Sequence, residues 1–152
     1  MGMFRDGKVK DSLTAASFGL FIEKELVGTF RKCTGLSSKN EVIKEVKVKE
    51  GKTVVQKQPG GVTVSDVTLE RGTTDSMDLY EWRMLILDGK INENRRPCSI
   101  VVYAPNEDPV ARYELYDCWP AEFSGGDLDA SSNDVFIEKV VLAVERMERV
   151  KP

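Results

Sequence analysis

Histidine does not occur anywhere in this sequence. That absence removes the usual general base, the usual activator of a serine or cysteine nucleophile, and the commonest metal ligand. Ser–His, Cys–His and histidine-based zinc chemistry are therefore excluded. Cysteine is scarce: Cys33, Cys98 and Cys118 are odd in number and widely separated, with apolar or aromatic residues nearby. They are expected to be small buried side chains, not a disulfide framework or a metal cluster. No apolar run is long enough to span a bilayer. The stretch from Met1 to Lys8 lacks the apolar segment of a signal peptide, and Asp6 stands where a myristoylation signal has Ser or Thr. Synthesis in the cytoplasm without a membrane anchor is the expectation. Glycines cluster only at Gly60-Gly61 and Gly125-Gly126, and neither pair leads into a Lys-Ser/Thr or joins a strand to a long helix. A phosphate-binding loop is thus not expected, and no cofactor is called for.

What is present is one domain's worth of chain. With 152 residues and 41% apolar content, the protein can bury a real core without cross-links. The net charge of −3 hides an uneven distribution. Between Lys39 and Lys57 six lysines face three glutamates, whereas between Ala104 and Glu138 nine acidic residues accompany one arginine. Such blocks are ordinarily solvated surface. Their functional reading is that a basic element of one copy meets an acidic face of another, favouring head-to-tail association. Lys44, Lys47, Lys49, Glu50 and Gly51 on the basic side, with Asp127 and Asp129 on the acidic side, are the candidate interface residues. Asp127, Asp129 and Asp134 do not follow the spacing of an EF-hand loop, so calcium is not expected there. No basic stripe with interleaved aromatics marks a nucleic-acid surface.

Patterning predicts α+β architecture dominated by strands: a β-barrel or sandwich of six to eight strands with one helix. Residues 1–16 read as a flexible polar arm, and 17–152 as a single domain. Phe18, Leu20 and Ile22 share one strand face, and a second strand follows around Thr29–Cys33. Between about residues 39 and 58 a charged hairpin, with valines alternating against lysines and a turn at Glu50-Gly51, has too little apolar content to bury itself. It is expected to project and to need a partner. Gln58-Pro59-Gly60-Gly61 reads as a turn, and Val62–Leu69 as a strand. Leu79, Trp82, Leu85 and Ile86 give a helical stripe, with Thr74 or Asp75 as the N-cap and Asp88-Gly89 as the stop. Strands are predicted at Cys98–Tyr103 and Val110–Asp117, the latter closed by Trp119-Pro120. A last strand is predicted at Val135–Val144.

The order of these motifs resembles the T4-like phage tail tube family, which includes inner-tube proteins of extracellular contractile injection systems. Phe18 through Phe21, Gly35-Leu36-Ser37, Glu50-Gly51, Pro59-Gly60, Thr68-Leu69-Glu70-Arg71-Gly72 and Leu79-Tyr80-Glu81-Trp82 carry the likeness. Trp119-Pro120-Ala121, Leu128-Asp129-Ala130 and Ile137-Glu138 continue it, so that it spans about Ser17 to Val150. The resemblance implies a non-catalytic subunit of hexameric rings whose strands join into one barrel around an open lumen. Such rings stack on a baseplate with tube-initiator proteins, inside a contractile sheath. The lumen carries phage DNA in a tail or protein effectors in an injection system, and the particle can be released from the bacterial cell. The competing reading from the residues is a monomeric ligand-binding β-barrel with an apolar cavity.

Overall fold

A computed structural model describes residues 15, 17–126, 130–131 and 136–152. Nearly all of the expected N-terminal arm, and the carboxylates Asp127, Asp129 and Asp134, lie outside the described residues.

The described residues form ten strands and one helix, more strands than the pattern predicts. In order they are β1 (Ser17–Ile22), β2 (Glu25–Phe30), β3 (Lys32–Thr34), β4 (Ser38–Lys49), β5 (Lys52–Val64) and β6 (Val67–Gly72). After α1 (Asp78–Leu87) come β7 (Arg96–Tyr103), β8 (Pro109–Ser124), β9 (Ile137–Ala143) and β10 (Arg146–Val150). Eight strands make one sheet in the order β2-β1-β7-β8-β9-β6-β3, with β10 added to β8, and β4 and β5 pair only with each other.

The long strand β8 organises the domain. Its first half pairs with β7 and with β10, while Trp119–Ser124 pair with β9. Between these halves Asp117 takes a left-handed conformation, φ 54°, and the strand turns from one layer into the other, as at sandwich corners. Period-two alternation then supplies the core. Leu20, Val67, Leu69, Ile100, Leu115, Val140 and Leu142 point inward and are sealed from solvent, each worth about 1.5–3 kcal/mol relative to exposure. From α1, Leu79, Trp82 and Ile86 complete this core. The Trp82 indole Nε1–H donates to the Asn94 carbonyl at 2.7 Å, so its polar atom is satisfied on burial.

Four differences from the sequence reading have physical causes. The prolines expected to turn or close the chain lie inside strands. Pro59 pairs with Val42 beside a register shift, and Pro120 pairs with Leu142 beside another. Bulges are where a residue without an N–H is tolerated in a sheet. As a result the hairpin extends from Ser38 to Val64, past the expected limit at 58. The strand read at Val62–Leu69 is split, because Ser65 leaves the ladder to donate its N–H to the Ser37 carbonyl at 3.0 Å. The helix starts at Asp78 with Met77 at its N-cap and no side-chain cap. Thr74 Oγ1 accepts the Ser76 N–H instead, at 3.2 Å, a local turn that competes with capping. Finally, the sheet is not closed: it ends on β2 and on β3. A single chain is an open sandwich and not a barrel.

Candidate assembly interface

The hairpin β4–β5 turns through Glu50 and Gly51, whose φ values of 52° and 72° match the paired left-handed residues of a tight two-residue turn. All twelve residues of β4 are exposed, and along β5 only Gly60 and Val64 are partly covered. Register separates the candidate lysines. Lys44 faces Lys57 on one side of the ribbon, whereas Lys47 and Lys49 project from the other side, opposite Val54 and Lys52.

The two sides differ in chemistry. The first carries Val42, Val46, Val48 and Val55, each more than half exposed, together with Lys44 and Lys57, and holds no carboxylate. On the second, Glu45 receives Lys47 at 3.8 Å and the Gln58 amide at 3.3 Å. Like charges opposed across a ribbon, as at Lys44–Lys57 and Lys49–Lys52, are unfavourable by a few tenths of a kcal/mol to about 1 kcal/mol. Exposed valines and unpaired ammonium groups together mark a surface made to be covered by something apolar and acidic.

The acidic block between Ala104 and Glu138 is not one free face. Glu138 is buried and accepts from Arg71 Nε at 3.1 Å, with both side chains about 5% exposed. Glu114 takes Arg112 Nε at 2.6 Å and the Ser99 hydroxyl at 2.8 Å. The interface residues proposed within it, Asp127 and Asp129, lie outside the described residues. Missed by the sequence reading was a second acidic surface. Glu23, Glu25, Asp78 and Glu81 rim a groove of about 300 Å³ between the β1–β2 turn and α1. These carboxylates come from two segments far apart in sequence, so no local motif signals them.

Two of the thiols, Cys33 and Cys98, are held protonated. Burial pushes Cys33 up to about 11, and a hydrogen bond with the Cys118 thiol, reinforced by burial, pushes Cys98 far above the ordinary range. At pH 8 the thiolate fraction of Cys33 is about one part in a thousand, against roughly a quarter for a free cysteine. Alkylation of Cys33 in the native protein by iodoacetamide at that pH is therefore expected to run a few hundredfold slower than in denaturant. Equal rates, followed by mass spectrometry, would show this thiol to be open.

Residues 14–148 match the family model described as T4-like virus tail tube protein gp19. The chain belongs to this tail tube family. Curated protein sequences give no match. Among solved structures, the tube family's fold recurs in the PVC sheath–tube complex of an extracellular contractile injection system in its extended state. There the TM-score is 0.76 at 18% identity, covering 95% of each chain. The cap terminating the tube of the anti-feeding prophage matches with a TM-score of 0.75 at 19% identity over 97% of each chain. Hcp1 from Flavobacterium johnsoniae is more distant, with a TM-score of 0.54 at 11% identity, covering 90% of this chain and 96% of that one. At these identities the structures speak for the fold, and the family model for membership.

Proposed function

We propose that this chain is the repeating structural subunit of the inner tube of a contractile injection system or contractile phage tail. In this reading it has no catalytic role. Hexameric rings stack into a hollow conduit on a baseplate and initiator proteins, inside a contractile sheath. The lumen passes a protein effector or phage DNA, and the particle, built in the bacterial cytoplasm, can be released outside the cell. One observation carries the reading: a hairpin of Ser38–Val64 stands uncovered by the other described residues. Two open sheet edges, β2 and β3, support it, because lateral joining of subunits covers edges that a free monomer would leave as aggregation sites. Contacts that do not close on themselves build filaments, as stacking requires. Structures of similar fold are described in a sheath–tube complex, a baseplate and a tube cap.

The ligand-binding barrel is disfavoured by the open sheet, and the cavities found among the described residues are surface grooves. Negative-stain electron microscopy of the purified protein, with its mass in solution, is the test. Rings with an open centre, or tubes built from them, are expected. Particles that stay monomeric when seeded with tube ends, and that take up a small apolar ligand, would overturn the tube reading.

A further inference from the structure

The groove between the β1–β2 turn and α1 has a definite character. Its floor is apolar, built from Ile22, Leu26, Val27, Trp82 and Leu85, and Leu26 is 58% exposed. Four carboxylates stand around this floor, from Glu23, Glu25, Asp78 and Glu81, against one guanidinium, Arg96. That guanidinium is already engaged: it lies 5.3 Å from the centre of the Trp82 ring and reaches the Asn94 side-chain oxygen at 3.4 Å. Lys24, at the same turn, borders a separate groove with Pro97 and Arg112. None of the four rim carboxylates has a salt bridge within the described residues.

We infer that this groove receives the valine-and-lysine face of the β4–β5 hairpin from a second copy of the chain. The inference rests on the tube reading and names the acceptor surface within it. The same sequence supplies two complementary surfaces. One hairpin face offers four exposed valines and the facing pair Lys44 and Lys57, with no carboxylate. The groove offers an apolar floor and an excess of carboxylates. Docked together, valines such as Val46 cover Leu26 and its neighbours, and Lys44 and Lys57 gain acidic partners that relieve their mutual repulsion. The opposite hairpin face neutralises part of its own charge through Glu45 and fits such a site less well. Because donor and acceptor are different patches on one chain, the contact is head-to-tail and propagates instead of closing a dimer.

The test uses assembled full-length protein carrying the photo-reactive residue p-benzoyl-phenylalanine in place of Val46. Irradiated tubes are expected to yield cross-links between copies, to peptides containing Glu23–Val27 or Asp78–Leu85. Cross-links confined to residues 104–126 would overturn the acceptor while leaving the tube intact. If the wild-type chain never assembled even when seeded, the tube reading and this inference would fall together. A charge exchange gives an independent readout. Glu25→Lys with Glu81→Lys is expected to raise the critical concentration for tube assembly about tenfold, equivalent to some 1.4 kcal/mol per subunit added, and adding Lys44→Glu with Lys57→Glu to reverse most of that rise. The four positions are exposed, so the monomer's circular dichroism and melting are expected to match wild type. Restoration absent in a folded quadruple variant would count against the pairing.

Discussion

Replacing Glu138 by alanine is expected to destabilise the folded chain by about 3–5 kcal/mol, the usual result of stranding one charge of a buried ion pair. Arg71 and Glu138 face each other on β6 and β9, both at inward positions of their strands. The guanidinium donates from Nε at 3.1 Å and lies 5.0 Å from the centre of the Phe30 ring. Its Nη2 has no hydrogen-bond partner among the described residues. On its other side the guanidinium is packed so close to β2 that a Cβ at Gly28 would stand 2.3 Å from Nη1. Among the described residues no second carboxylate pairs with this guanidinium. With total stabilities typically about 5–15 kcal/mol, that loss would remove between roughly a fifth and all of the folding free energy. The double variant Arg71→Met with Glu138→Leu is expected to recover most of the difference, since apolar replacement of a buried pair is often neutral or stabilising. Denaturant unfolding of the soluble chain measures both. A loss below about 1 kcal/mol for the single variant would mean that solvent reaches Arg71, and the buried pair would not be a keystone of the fold.

How far the sequence foretells this structure differs by feature. The inward residues of β1 and β9 follow from period-two alternation, and those of α1 from helical spacing, because both patterns are local. Membership of the tail tube family was legible in the order of short motifs along the chain. The prolines misled, since Pro59 and Pro120 carry turn chemistry locally but sit at bulges whose existence depends on the partner strand. The strand β10, rich in charge, gave no apolar signal. Its side chains are held by β8 neighbours, with Arg146 4.2 Å from the Tyr116 ring centre and Glu148 accepting from the Tyr116 hydroxyl at 3.3 Å. The Arg71–Glu138 pair was invisible for the same reason: the partners are 67 residues apart, and Glu138 read as one more acid in an acidic block. Of the candidate interface, the hairpin was legible because its poverty in large apolar residues is local. The groove was not, because the fold assembles it from two distant segments.

Excising the hairpin should separate folding from assembly. Removing residues 41–61 and joining Asn40 to Val62, which are register partners, through an Asn-Gly turn preserves the base of the ribbon. That base is held by the Ser37 and Ser65 hydroxyls at 2.7 Å and by the Ser65 N–H to the Ser37 carbonyl. The hydrophobic core draws no residue from the excised segment, so its loss is expected to change the monomer's unfolding free energy by no more than about 0.5 kcal/mol. Assembly is expected to disappear, because the excised residues include Val42, Val46, Val48 and Val55 and every lysine of the ribbon except Lys39. The smaller charge reversal of Lys44, Lys47 and Lys49 to glutamate should act in the same direction and respond to salt. Raising ionic strength to about 1 M, where screening acts over about 3 Å, is expected to weaken wild-type assembly and to narrow the gap between it and the reversed variant. Sedimentation of tubes against soluble chain reads all three proteins. Tubes of normal length from the excised variant would place the longitudinal contact elsewhere and leave the hairpin without a role in stacking. A variant that lost both folding and assembly would instead show that the ribbon, although exposed along its length, supports the sandwich from which it projects.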